Sequence, residues 1–254
     1  MRTLLGSLAL ALTWALAPIA SAQAPASLPA AMASELIVAN HILVNLGVID
    51  VRGHVSVRDP VNPNVFWITR DVAPGLAAVA DLQAFDLDGK QVGGIAGVSF
   101  TERFIHARVY KARPDIKSVV HAHTKSVIVF SQSDIPLRPV STSDLFIGNN
   151  GVPIHSNGTA GEGIHDIPVG DELAKLLGAG SAVMMRGHGV VVVGNSIQSS
   201  VGRAVGLDVG ATQQINLLSL GGKPNYLTAP ANAAQNFGNY AREWSWWSHQ
   251  VDGR

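Results

Sequence analysis

The chain reads as a single α/β domain in which a mixed sheet lies between helical layers. Three observations predict this. Short β-branched runs of period two alternate along the chain with segments of period about 3.6. Neither an internal repeat nor a linker long enough to divide the chain interrupts them. At 254 residues the chain is also long enough to bury a sizeable core between such layers.

Taken in order, residues 35–46 read as an amphipathic helix that Ser34 can cap and Gly47 stops. Val55-Ser56-Val57 alternates as a strand, with Gly53 before it marking a close backbone approach. Residues 65–69 form a second strand beyond a Pro/Asn-rich loop. Residues 82–87 and the segment from Lys90 flank Asp88-Gly89, a hairpin signal. From Thr101 the period lengthens, and Phe104, Ile105, Arg108 and Val109 fit a helix that ends before Pro114. Residues 117–123 are a buried strand and residues 124–132 the helix after it. Ile135-Pro136 and Val152-Pro153-Ile154 bound shorter strand and loop pieces. Residues 171–177 make a short helix stopped by Gly178. Two apolar strands, 181–185 and 190–193, are separated by a Gly187-His188-Gly189 turn. Ser196 opens a long helix rich in small residues, closed by Gly221-Gly222, and residues 231–250 form a last helix carrying Trp244, Trp246 and Trp247.

The organisation expected from this pass has four parts. Residues 1–22 read as a secretory signal: Arg2 is followed by an apolar run over 4–17 and a small-residue site, Ala20-Ser21-Ala22, before Gln23. That run is shorter than the roughly 20 residues a membrane-spanning helix needs, so cleavage and export to the periplasm or medium are expected, with no membrane attachment afterwards. Ala/Pro-rich residues 23–33 are a flexible lead-in, residues 34–230 the domain, and residues 231–254 a helical tail on the domain or on a neighbouring subunit.

Lys+Arg and Asp+Glu balance at 18 each, so no charge excess points to nucleic acid or an anionic membrane surface. Hydrophobic residues make up 47% and charged residues 14%, which suits a soluble enzyme or small-molecule binder. Cysteine is absent, which rules out disulfides and thiolate ligands. Any metal is therefore held by histidine and carboxylate oxygen, a donor set suited to Zn²⁺, Mn²⁺, Fe²⁺ or Co²⁺.

Such donors occur in His121-Ala122-His123, where two side chains leave a strand on the same side. Taken alone, the pair is read equally well as structural histidines. Glu102 at the start of a helix is by itself most simply a solvated carboxylate near the helix dipole, and His188 a turn residue between glycines. In combination, three histidines and a carboxylate leave an open metal position, as catalytic sites do.

From about residue 35 to 222 the chain resembles the class II aldolase/adducin family. The pieces that carry the resemblance are Gly53-His54-Val55-Ser56-Val57-Arg58, Thr101-Glu102-Arg103-Phe104-Ile105-His106, His121-Ala122-His123 and Arg186-Gly187-His188-Gly189. The resemblance implies that family's αβα layered fold. It also implies a divalent metal on His121, His123 and His188, with Glu102 as its neighbour and catalytic proton shuttle. One ion per subunit is expected, Zn²⁺ or Mn²⁺ first and Co²⁺, Fe²⁺ or Mg²⁺ as alternatives, in a homotetramer without an organic cofactor.

Departures from the family's sugar-phosphate aldolases narrow the chemistry. His54 stands where they carry asparagine, Phe100 interrupts the hydroxyl pair before the glutamate, and Ile68-Thr69-Arg70-Asp71 replaces a phosphate loop. Their tyrosine acid also has no counterpart between Tyr110 and Tyr226. Gly-His-Val-Ser-Val-Arg looks instead like the family's decarboxylase branch, which acts on hydroxy-carboxymuconic semialdehydes, dihydroxyphthalate-like acids or pyridine dicarboxylates. The expectation is decarboxylation of a small hydroxy or oxo dicarboxylic or aromatic acid through a metal-stabilised enolate. His54 and Arg58 would bind substrate carboxylates, although Arg58 fits a structural ion pair equally well. Ser141 and Thr142 would line the pocket. The alternatives are an aldolase or dehydratase acting on a hydroxy acid or sugar, and a non-catalytic exported binding module.

Overall fold

In the computed structural model, residues 27–156 and 163–252 are described. The expected signal at residues 1–22 and its cleavage site lie outside them. The helices are α1 (Ala30–Asn45), α2 (Arg103–Ala112), α3 (Lys125–Ser131), α4 (Ile167–Leu177), α5 (Ile197–Ser219) and α6 (Ala241–Val251). The strands are β1 (His54–Arg58), β2 (Val65–Thr69), β3 (Leu82–Asp86), β4 (Gln91–Gly94), β5 (Ser118–Ala122), β6 (Ile154–His155), β7 (Ala182–Met185) and β8 (Gly189–Gly194). They form one sheet in the order β4-β3-β2-β1-β5-β8-β7-β6, antiparallel except where β6 joins β7. This is the mixed sheet expected.

Side-chain alternation divides the core into two layers. Val55, Val57, Val120, Ala122, Val190 and Val192 pack with residues of α1, α3 and α5. Val119, Val191 and Val193 point the other way and pack with Ile105, Val109 and Tyr110 of α2 and Leu173 of α4. Both faces of the central strands are thus covered, which accounts for their near-continuous apolar runs. Among the described residues no helix is long and apolar enough to cross a membrane.

Three local expectations need correction. Residues 30–33, taken from composition as lead-in, are the first turn of α1, which starts after Pro29 and has no side-chain cap at Ser34. Alanine favours the helix strongly, and burial of Leu28 and Ala33 ties this end to the core. Helix α4 begins earlier than expected because the Asp166 carboxylate accepts the Val169 N–H, with Pro168 in the first turn. The tail is helical only from Ala241, and residues 231–235 are turns.

The tail is tied to the sheet by Arg203 of α5, whose side chain is fully buried. Its Nη1 donates to the Val193 carbonyl at 2.8 Å, and its Nη2 donates to Ala234 O at 2.7 Å and Asn236 O at 3.1 Å. Its guanidinium lies over the Phe237 ring, 4.4 Å from the centroid.

Candidate metal centre

Strand register assembles the site. His54 of β1 stands directly opposite His121 of β5, so their side chains share the face covered by α2. Beyond the end of β5, His123 continues toward the turn between β7 and β8, because Ala122 pairs with Val190. That turn carries His188. Gly187 takes a positive φ of 66°, and a Cβ on Gly189 would meet the Ala122 carbonyl and, at 3.1 Å, the His123 ring. The Gly-His-Gly pattern is therefore needed both to turn the chain and to let it approach β5.

Glu102 occupies the N-cap of α2 but makes no capping bond; its carboxylate is turned toward the histidines. Oε1 lies 3.1 Å from His188 Nε2 and Oε2 lies 3.3 Å from His121 Nε2. His121 Nε2 and His123 Nε2 are 3.1 Å apart. One ligand atom from each of Glu102, His121, His123 and His188 lies within 4.8 Å of all the others. A tetrahedral ion with bonds of about 2.0–2.1 Å sets its ligands about 3.3 Å apart, so these separations fit a divalent ion. Three imidazole nitrogens and a carboxylate converging on one point would otherwise have to share protons among lone pairs. The donor set fits.

Electrostatics support the same charge state. Burial disfavours the Glu102 carboxylate, but His121, His188 and His54 around it outweigh this and hold its carboxyl well below the usual range. Burial and the neighbouring imidazoles push His54 and His123 below their ordinary value, which keeps both rings neutral, the form a metal ligand needs.

Asp50 was not among the residues singled out from sequence. Its Oδ1 lies 3.3 Å from His123 Nδ1, so the ring nitrogen facing away from the cluster meets a carboxylate. Burial raises the Asp50 carboxyl, yet the Arg52 N–H and His123 together hold it below its ordinary value. The arrangement fixes the His123 tautomer that leaves Nε2 free to bind metal. The available signal was the Asp50-x-x-Gly53 spacing before β1: Asp50 Oδ1 accepts the N–H groups of Arg52 and Gly53, which sets the turn and aims the carboxylate. Gly163 is a second addition. A Cβ there would lie 2.6 Å from Glu102 Oε1 and 2.8 Å from His165 Cε1, so this backbone rests on the carboxylate. No local pattern announces such a contact.

Four expected substrate residues are placed differently. His54 lies beside the cluster, with Nε2 4.0 Å from Glu102 Oε2, and is completely buried, its ring centroid 4.4 Å from that of Phe100. Arg58 is four residues further along β1, roughly 13 Å by strand rise. Its guanidinium donates to the carbonyls of Pro63, Tyr110, Ile116 and Arg113, and it stacks over Tyr110. Its donors are taken up by carbonyls, neither by a substrate-facing opening at the cluster nor by the acid of the expected ion pair. Ser141 is bound to the buried Asp144, which accepts both its N–H and its hydroxyl. Thr142 lines a cavity of about 570 Å³ with Phe146, Gly206, Tyr240 and Trp247, and none of the four cluster residues borders that cavity.

Known proteins resemble this chain over most of its length. Decarboxylase tropJ of Talaromyces stipitatus is 34% identical over 198 residues, which cover 71% of this chain and 73% of that protein. The 3,4-dihydroxyphthalate decarboxylase of Rhodococcus jostii is 27% identical over 186 residues, or 68% and 74% of the two chains. Among solved structures, L-fuculose 1-phosphate aldolase from Glaciozyma antarctica superposes with a TM-score of 0.69 at 25% identity, covering 87% of this chain and 88% of its own. Residues 34–215 match the Class II Aldolase and Adducin N-terminal domain, a span that holds all four cluster residues. The chain belongs to the class II aldolase/adducin family.

Proposed function

We propose that the protein is a divalent-metal-dependent lyase that decarboxylates a small hydroxy or oxo dicarboxylic or aromatic acid. The observation that carries this reading is the convergence of Glu102 and three histidine nitrogens within 4.8 Å, in a chain whose relatives include decarboxylases. When bound there, a metal ion would supply Lewis-acid stabilisation for the charge left as CO₂ departs. His121, His123 and His188 would hold it, and Asp50 would keep His123 aligned. Glu102 enters as a carboxylate, so it takes a proton from a substrate hydroxyl and delivers it to the carbon that has lost CO₂. One proton is drawn from solvent for each CO₂ released. Phe100, packed on His54 at 4.4 Å between ring centroids, closes the floor of the site.

The same proposal covers a homotetramer, in keeping with the exposed Trp246 of the tail, and export after cleavage at residue 22. Aldol cleavage begins from the same cluster and is the second reading, favoured by the likeness to the fuculose phosphate aldolase. The test pairs elemental analysis with product detection. The native protein should carry one divalent ion per chain, a His121→Ala/His123→Ala variant none, and CO₂ should be released from a panel of hydroxy-dicarboxylates. Metal content equal in both proteins would remove the metal reading. Aldehyde or pyruvate release without CO₂ would replace decarboxylation by aldol cleavage.

A further inference from the structure

Below Glu102 lies a row of polar side chains that the proposed reaction does not use. His54 Nδ1 is 2.8 Å from His106 Nε2. His106 Nδ1 is 2.6 Å from Ser56 Oγ, and Ser56 Oγ is 2.8 Å from Tyr110 Oη. All four side chains are buried, none more than 1% exposed. Alternation on β1 places His54 and Ser56 on one face, and one turn of α2 separates His106 from Tyr110, so each element contributes two members. At the upper end His54 Nε2 has no hydrogen-bond partner among the described residues and faces Glu102 Oε2 at 4.0 Å.

The protons in such a row are not free to choose. Both rings are fully buried, and the 2.8 Å approach of His54 Nδ1 to His106 Nε2 leaves room for a hydrogen on only one of the two nitrogens. A neutral imidazole has one N–H and one lone pair, whereas an ionised carboxylate only accepts. The His54 nitrogen facing Glu102 therefore carries the hydrogen, since a lone pair there would repel the carboxylate at low dielectric. His54 Nδ1 is then the acceptor and His106 Nε2–H its donor. His106 Nδ1 accepts from the Ser56 hydroxyl, which accepts in turn from Tyr110. Every proton points toward Glu102.

We infer that His106, Ser56 and Tyr110 are positioning residues that lock His54 in its Nε2–H tautomer and so aim a buried N–H at Glu102 Oε2. The inference rests on Glu102 being the working carboxylate of the proposed reaction. His121 and His188 hold one side of that carboxylate, and His54 stands ready on another. A separation of 4.0 Å is long for a hydrogen bond, and such contacts tighten when a site fills. The row thus acts on the orientation of Glu102 through His54 without touching substrate.

The experiment is long-range ¹H–¹⁵N correlation on the full chain labelled with ¹⁵N-histidine, with Zn²⁺ added as the metal. His54 and His106 should both show the Nε2–H pattern. In His106→Phe, His54 should shift to a mixture of tautomers. CO₂ release should fall at least tenfold in kcat with KM unchanged, and His106→Gln, which keeps a donor near Nε2, should recover part of it. Ser56→Ala, a smaller change less prone to misfolding, should disturb the His106 tautomer and, through it, that of His54. Finding His54 as the Nδ1–H tautomer in the native protein overturns the inference, as does a His54 tautomer unchanged in a folded His106→Phe. A protein that releases no CO₂ but shows both Nε2–H patterns would sink the reaction reading and leave the tautomer assignment supported.

Discussion

Replacing Asp50 by asparagine tests how far the metal centre depends on a residue that binds no metal. Asp50 Oδ1 accepts the Arg52 N–H at 2.9 Å and the Gly53 N–H at 3.3 Å, and asparagine keeps that oxygen and the turn. The other position, Oδ2, lies 3.4 Å from His123 Nδ1 and would become an amide NH₂. His123 Nδ1 then meets a neutral amide in place of a carboxylate, with the retained oxygen 3.3 Å away and a donor beside it. With the carboxylate's charge gone, the ring places its hydrogen more often on Nε2, the nitrogen that lies 3.1 Å from His121 Nε2, where it blocks the lone pair that a metal requires. Loss of such an outer partner typically costs about 10- to 100-fold in metal affinity. The Asp50 side chain is 46% exposed, so solvent softens the effect and the lower end applies, about tenfold or roughly 1.4 kcal/mol. Competition against a chromophoric chelator measures it, with the melting temperature of metal-free protein as the control for folding. An Asp50→Asn protein that binds Zn²⁺ within twofold of the native chain, at unchanged metal-free stability, would refute the reasoning.

Gly163→Ala should cut turnover at least tenfold while leaving the melting temperature within a few degrees, because the new methyl at 2.6 Å from Oε1 must push the Glu102 carboxylate off its histidines. Turnover equal to native would mean that the loop, not the carboxylate, gives way. Acid should unfold the protein early. His106 has a folded value of about 3 against about 6.5 in the unfolded chain, so below pH 6.5 the unfolded state binds the extra proton. Its contribution is complete above pH 6.5 and declines toward pH 3, by about 2 kcal/mol at pH 5. Urea midpoints measured from pH 7.5 to 4.5 should fall steadily in the native protein and less steeply in His106→Phe.

What could be read without coordinates followed from local periodicity. The β-branched runs at 65–69 and 190–193 and the small-residue helix after Ser196 were legible because alternation, turn glycines and caps are short-range signals. The cluster was legible for a related reason: His-x-His on one strand and a histidine between two glycines are each local, and resemblance joined them to Glu102. Depth was not legible. Alternation puts His54 and Arg58 on the same face of β1, but it does not say that Phe100 roofs one or that four carbonyls surround the other. Nor does hydroxyl content reveal that Ser141 serves Asp144. Asp50 stayed hidden because its partner is 73 residues away and only the turn before β1 joins them. The start of α1 was missed because alanine and proline are read as loop when the helix that follows them is not yet known to pack.

The hold of Arg203 on residues 234 and 236 bears on where this molecule can be cut. The family match ends at residue 215, which invites treating the remainder as an appendage. Two of the three carbonyls that receive the arginine's protons lie beyond that point. A chain ended there would leave that cation with one of its three carbonyls and without the Phe237 ring over it. The unit of common descent and the unit that folds therefore have different borders here. Any dissection of this protein that honours the first at the expense of the second should yield insoluble chain.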